Sequence, residues 1–306
     1  MKFTIYQNSR QGPRPYNQDR LAYSYSKDAL LLVIADGMGG HRHGEIAAQI
    51  AVTTMTDAFQ RLAIPTLASP AKFLTEYIQQ AHDTIQQYAQ ERDMLEAPHT
   101  TIVAAVVQRG MLYCAHAGDS RLYHYRDSHL LFRTEDHSVV QHLYNKGMIT
   151  KDDMSTHPYR HKVSNCLGAE APPKIDLSDR QELLEGDTIL LCTDGVWGAV
   201  PDNDIKHLLN NASISDGITA LLDQAENVSK QQGDNMSAIG LQWGDKLSSH
   251  SAVSTISMAM GSTTTIMNPV TKSDPEFNAE NEDFTDDEIE KTIAEIQIAL
   301  SKSKRK

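Results

Sequence analysis

Two apolar runs in this chain end in the same dipeptide: Leu30–Ala35 leads into Asp36-Gly37, and Ile189–Thr193 leads into Asp194-Gly195. A short, branched, apolar run reads as a buried strand, which places each aspartate where a strand leaves the core. An unpartnered carboxylate in such a place costs several kcal/mol or takes up a proton, so two of them point to something positive between them. Asp19, Asp119 and Asp234 add carboxylates in comparable polar breaks between strands. Hard oxygen donors, without a cysteine cluster or a histidine pair at ligand spacing, favour Mg²⁺ or Mn²⁺ over Zn²⁺. Several carboxylates on one site repel unless cations compensate them, which suits a two-metal centre with ions ~3.5–4 Å apart. Phosphoester hydrolysis is the reaction that most directly uses such a centre, and Arg14 supplies a fork-shaped donor for phosphate oxygens.

Strands are expected at 2–9, 20–26 and 30–35, followed by helices over 44–62 and 70–92. Ser69 is the expected N-cap of the second helix, with Pro70 at its first position. Short strands at 100–108, 111–117, 121–126 and 129–133, with hairpin-like connections, imply antiparallel pairing. Two further helices (202–209 and 215–230) and a last strand (236–243) complete the pattern. Strands in blocks and helices in pairs predict an α+β fold of antiparallel sheet covered by helices, not a doubly wound parallel sheet.

Arg14…Asn17-Gln18-Asp19, Asp36-Gly37-Met38-Gly39-Gly40-His41…Gly44, Gly118-Asp119-Ser120-Arg121, Glu135-Asp136-His137-Ser138, Thr193-Asp194-Gly195 and Gly233-Asp234-Asn235 occur in this order along residues 1–245. Together they closely resemble the metal-dependent type 2C protein Ser/Thr phosphatases in their bacterial form. The resemblance implies a central sandwich of two antiparallel β-sheets flanked by α-helix pairs (αββα). It also implies that Asp36 bridges two Mn²⁺ or Mg²⁺ ions, that the Gly37 carbonyl ligates one, and that Asp194 and Asp234 ligate the other. Asp19 would hold the water shell of the ions. Asp119, with Asp194, matches the position of an additional, third metal in bacterial relatives. Residues 141–176 fall where the family carries a mobile flap, a substrate-selecting lid.

Two positions depart from the eukaryotic pattern. Gln18 stands where a glutamate is frequent, removing one negative charge from the metal shell, and Met38 stands where a histidine is frequent. Met38 has no proton to donate, which leaves His41 or a metal-bound water as the candidate leaving-group acid. Each fragment has a plainer reading by itself: Asp-Gly is an ordinary turn, Gly37–Gly40 lacks the Lys-Ser/Thr of a P-loop, and His41-Arg42-His43 is only half of a zinc motif.

The implied activity is hydrolysis of phosphoserine and phosphothreonine on proteins by metal-activated water, opposing a protein kinase. The competing reading is a non-catalytic phosphoprotein-binding pseudophosphatase, expected to lack a metal carboxylate; Asp19, Asp36, Asp194 and Asp234 are all present. Hydrolysis of a small phosphate ester is a third reading that the site residues leave open. A net charge of −12 over 306 residues argues against a nucleic-acid partner. No apolar stretch approaches the roughly 20 residues of a membrane span, and no leader is evident at the start. With Cys114, Cys166 and Cys192 isolated, free thiols and a cytoplasmic location are expected.

Composition shifts near residue 245. Residues 246–283 read as a flexible linker rich in polar and small residues, with Thr263-Thr264-Thr265-Ile266 as a phosphorylation candidate. Residues 284–306 read as an amphipathic helix, opened by the capping box Thr285-Asp286-Asp287-Glu288 and closed by a basic end. Ile289, Ile293, Ile296 and Leu300 form its apolar stripe, which would dock on a partner protein or on the phosphatase domain.

Overall fold

The computed structural model describes residues 1–38, 43–210, 213–230, 233–244, 253–255, 258 and 261–267. The expected tail helix and its docking stripe lie outside the described residues, as do His41 and most of the stretch from 246 to 283.

The strands are β1 (Lys2–Arg10), β2 (Arg20–Ser26), β3 (Ala29–Ala35), β4 (Ile102–Gln108), β5 (Met111–Ala117), β6 (Arg121–Arg126), β7 (His129–Arg133), β8 (Asp176–Leu177), β9 (Gln181–Glu182), β10 (Thr188–Cys192), β11 (Met236–Trp243), β12 (Val253–Ser254) and β13 (Ser262–Met267). They form two antiparallel sheets. One runs β12-β1-β11-β10-β6-β7; the other runs β13-β2-β3-β4-β5-β8, with β9 also on β5.

The helices are α1 (Gly44–Leu62), α2 (Pro70–Gln90), α3 (Val139–Asn145), α4 (Lys151–Thr156), α5 (Asp194–Trp197), α6 (Asp202–Asn210) and α7 (Ile214–Ser229). Three apolar layers hold the sandwich together. Leu30, Leu32, Ile34, Val103, Ile189, Leu191 and Ile239 meet between the sheets. On the outer face of the second sheet, Leu31, Val33, Ala104 and Val106 pack on Ile50, Met55, Phe59, Ile78 and Ile85 of α1 and α2. Leu190, Cys192 and Ala238 pack on Ile205, Ile218 and Leu222 of α6 and α7. β3 and β4 are buried along their whole length because both faces carry apolar residues, which is why they read as continuous runs. The expected αββα sandwich is the observed one, and Ser69 caps α2 by accepting from the Lys72 N–H.

One expectation needs correction. Two stretches inside the segment read as a linker are strands: Val253–Ser254 pairs with the edge of β1, and Ser262–Met267 pairs with β2 from Ser26 to Leu21. The Thr255 hydroxyl accepts from the chain's N-terminal ammonium and donates to the Lys27 carbonyl, tying this segment to the start of β1 and the turn between β2 and β3. Threonine is a good strand former, and an edge strand needs no apolar outer face. A search for apolar periodicity therefore passes over β13. The connection from β7 to β8, where the flap is expected, contains α3 and α4.

Candidate metal centre

Strand register collects the carboxylates at one end of the sandwich. Arg20 pairs with Ala35, so Asp19 and Asp36, each one residue beyond its ladder, are neighbours. Cys192 pairs with Ala238, so Asp194 and Asp234 leave β10 and β11 at the same end. Arg10 pairs with Met236, which brings the loop carrying Arg14 there as well. Asp119 lies on the crossing from β5 in one sheet to β6 in the other. The two Asp-Gly units thus come from opposite sheets, and their carboxylates are close enough for a hydrogen bond between Asp36 and Asp194.

The glycines are required by close backbone approach. A Cβ on Gly37 would sit 2.5 Å from the Gly44 carbonyl group and 2.8 Å from the Gln18 oxygen. At Gly195 it would sit 2.1 Å from the Asn235 oxygen. Any side chain there would push apart segments that carry the carboxylates. Beyond the ladder, Gly37 bridges to Thr100, while the Asp36 carbonyl accepts from the Thr101 N–H (2.9 Å) and the Thr100 hydroxyl (2.8 Å).

Charge crowding dominates the electrostatics. Burial first, then hydrogen bonds to Ser237 and Thr193 that oppose it and repulsion from Asp234, raise the Asp19 carboxyl to about 6. Burial, then Asp234 and Asp19, raise Asp194 to about 7. Asp36 is raised well above the ordinary range by burial and by Asp19, Asp194, Asp234 and Asp119 together, and Asp119 by burial, Asp194 and Asp136. Asp19 Oδ2 accepts from the Thr193 hydroxyl at 3.0 Å, whereas Asp19 Oδ1 and Asp194 Oδ1 are buried without a hydrogen-bond partner. Buried orphan oxygens amid mutual repulsion, with oxygen donors only, fit hard divalent cations. No ion is required to explain Asp234 alone: its Oδ2 lies 2.6 Å from Arg14 Nη2, at the exposed mouth of the cluster.

Several contributors escaped the sequence reading. Asn235 Oδ1 accepts from the Gln18 N–H, and its Nδ2 donates to the carbonyls of Gln11 and Tyr16, locking the Arg14 loop against β11. Buried Glu45, on the first turn of α1, accepts from Gln18 Nε2 at 3.2 Å, so a carboxylate borders the position where the charge was thought to be lost. Asn235 was visible in the Gly-Asp-Asn motif; Glu45 had no signal, because its proximity to Gln18 depends on the Gly37–Gly44 contact. In the flap, a turn at 158–161 is anchored by the Lys162 carbonyl accepting from Val139. This turn brings His161 into the field of Arg14 and Asp234; burial, then Arg160, depress the His161 imidazole.

Residues 8–236 match the family model described as Protein phosphatase 2C. The serine/threonine phosphatase Stp of Listeria welshimeri is 32% identical over 217 residues, covering 70% of this chain and 86% of the relative. The serine/threonine phosphatase of S. agalactiae superposes with a TM-score of 0.71 at 28% identity, over 78% of this chain and 99% of that one. The catalytic domain of PstP, solved in complex with two manganese ions, gives a TM-score of 0.66 at 27% identity, over 79% of this chain and 98% of that one.

Proposed function

The chain belongs to the protein phosphatase 2C family and is a metal-dependent protein serine/threonine phosphatase, and from that premise we propose how its own residues do the work. Asp36 would be the ligand shared by two Mn²⁺ or Mg²⁺ ions, with the Gly37 carbonyl on one and Asp194 and Asp234 on the other. Asp19 would hold their water shell, and Asp119 with Asp194 would take a third ion. The PstP structure with two manganese ions supports the first pair.

The observation that carries this reading is the convergence of Asp19, Asp36, Asp194 and Asp234 from two sheets, where Asp19, Asp194 and Asp234 together raise the proton affinity of buried Asp36. When bound, divalent cations supply charge neutralisation and a water acidic enough to act near neutral pH. The protein's part is to fix the oxygens before the substrate arrives, so that little reorganisation remains at the moment of reaction. Thr193 holds Asp19 from one side, Thr100 and Thr101 hold the Asp36 backbone, and Asn235 holds the strand end after Asp234.

Arg14 takes the phosphate oxygens and orients the phosphorus. Its guanidinium stands at the mouth of the cluster, already paired with one carboxylate of the site, so it is within reach of both substrate and metal shell. The substrates are phosphorylated proteins, and the physiological counterpart is a Ser/Thr kinase in the cytoplasm. Among the described residues no helix is long and apolar enough to cross a membrane. His41 stays a candidate leaving-group acid, and the segment from 284 to 306 a candidate partner-binding helix. The test is a phosphopeptide panel assayed with Mn²⁺, Mg²⁺ and chelator. Activity that survives chelation, or that survives Asp36→Asn, would overturn the assignment.

A further inference from the structure

Behind the Asp119 loop lies a second cluster of metal-capable groups: ligand atoms of His116, His137 and Asp176 lie within 4.8 Å of one another. Its geometry argues for a different role. The two imidazoles stack with centroids 4.5 Å apart and planes 17° from parallel. Ring-nitrogen lone pairs lie in the ring planes, so stacked rings aim them side by side and not at one point. The nitrogens are also committed. The Gly118 N–H can only donate, so His137 Nδ1, 3.2 Å away, is the acceptor. Asn165 Nδ2 donates to the same nitrogen. The proton therefore sits on His137 Nε2, which donates to Asp176 Oδ2 at 3.0 Å. His116 Nε2 donates to the Glu135 carbonyl and holds the backbone just before this motif.

The partners of His137 fall on two sides. On one side is Gly118: the His137 N–H donates to its carbonyl at 2.9 Å while its N–H donates to the ring. Gly118 has φ +120° and would carry a Cβ 2.5 Å from Thr101, so the loop is closely confined. On the other side is the flap: the His137 carbonyl accepts from the Ser164 N–H at 2.8 Å, and Asn165 and Asp176 hold the ring. The far side of the Asp119 loop is fixed separately. Trp197 Nε1 donates to the Asp119 carbonyl, and Arg121, paired through two bonds with Asp136, lies 3.5 Å over the Trp197 ring. Ser120 joins this loop to Thr101, whose hydroxyl accepts from the Asp36 N–H.

We infer that His137, held with its proton on Nε2 by Asp176, is a positioning residue through which residues 164–176 of the flap set the Asp119 carboxylate toward its cation. This rests on the reading of Asp119 as a metal ligand. Groups that orient a ligand from behind it commonly change metal affinity by about 10–100-fold when removed.

The test is calorimetric titration of the full chain with Mn²⁺, alongside phosphopeptide and small-ester kinetics, for Asp119→Ala, His137→Ala, His137→Asn and the double variant Asp119→Ala/His137→Ala. Asp119→Ala is expected to remove the weakest Mn²⁺ binding event. His137→Ala should weaken that event about tenfold or more and leave the tighter events unchanged. His137→Asn places an amide oxygen where Nδ1 was and keeps the Gly118 bond but loses the link to Asp176, so it should recover part of the binding lost in His137→Ala. In the Asp119→Ala background, His137→Ala should add no further change in Mn²⁺ binding or in kcat and KM. If Asp119→Ala changes no binding event, the ligand reading fails and the inference with it. If Asp119→Ala acts but His137→Ala leaves the weak event intact, only the inference fails. A folded His137→Asn that recovers none of the lost binding, or a His137→Ala effect that persists without Asp119, also overturns it.

Discussion

Arg14 Nη2 lies 2.6 Å from Asp234 Oδ2, so the proposed phosphate ligand and a proposed metal ligand are ion-paired in the protein itself. Both side chains are more than a third exposed, so solvent screens the pair and its worth to stability is small. Its importance is geometric: the same carboxylate connects the guanidinium to the carboxylate cluster proposed to hold the cations. Replacing Arg14 with Ala should lower kcat/KM for a phosphopeptide by about 100-fold, with a change of no more than a few degrees in melting temperature. Lys at this position should recover only part of the loss, because an ammonium lacks the planar fork. Full activity in the Arg14→Ala protein would remove Arg14 from the reaction.

The charge cluster predicts a stabilising loss of function. Asp36→Asn removes a carboxylate whose charged form is disfavoured by burial and by Asp19, Asp194, Asp234 and Asp119. Catalysis should be abolished, while the metal-free protein should melt about 2–4 °C higher. Scanning calorimetry in chelator checks the second half; a lower melting temperature would show that Asp36 is structurally supported in its charged form.

Proton and metal should compete at this site. The carboxyls of Asp19 and Asp194 are raised from the ordinary value of 3.8 to about 6 and about 7. A carboxyl whose folded value is raised contributes stability that is full below about pH 4 and is lost as pH climbs through 6 and 7. The metal-free protein should therefore lose stability between about pH 4 and pH 7 and level off above, and the rise in melting temperature caused by Mn²⁺ should grow over the same interval. A Mn²⁺ shift that is constant from about pH 4 to 7 would contradict this.

Close backbone contact at the two Asp-Gly units makes their glycines intolerant. Gly195→Ala would put a methyl group 2.1 Å from the Asn235 oxygen, and Gly37→Ala one 2.5 Å from the backbone of α1. Each should cost about 1–3 kcal/mol of stability, as overpacking does, and should weaken Mn²⁺ binding because carboxylate-bearing segments move apart. Denaturant titration with and without Mn²⁺ separates the two effects. Gly110, with nothing within 4 Å of a built Cβ, lies in a turn remote from the site and serves as the control for metal binding.

The edge strands predict a boundary effect. A chain ended at residue 245 loses β12 and β13 and uncovers the backbone of β1 and β2, which is an invitation to intermolecular pairing. It should melt lower and self-associate by size-exclusion chromatography, whereas a chain ended at residue 268 should behave as a well-folded phosphatase. Equal behaviour of the two would mean that the added strands contribute nothing.

The carboxylates that converge at one end of the sandwich were legible in the primary structure because each sits near a signal that does not depend on distant contacts. Asp36 and Asp194 end branched apolar runs, and Asp19, Asp119 and Asp234 occupy polar breaks with a Gly or Asn within two residues. The sandwich with its helix pairs was legible for the same reason: β3 and β4 are apolar on both faces, and α2 has a Ser cap and a Pro at its start. What only the three-dimensional fold decided are relations between segments far apart in the chain. Register places Asp19 beside Asp36 and Asp194 beside Asp234. The Gly37–Gly44 contact brings Glu45 to Gln18, and the ring of His137 joins Gly118 to Asp176. β13 belongs to this second group, since its Thr-rich strand exists by pairing with β2 and has no apolar face to announce it. Local propensity and burial are written residue by residue, whereas electrostatic crowding and hydrogen bonding depend on distances that only packing sets.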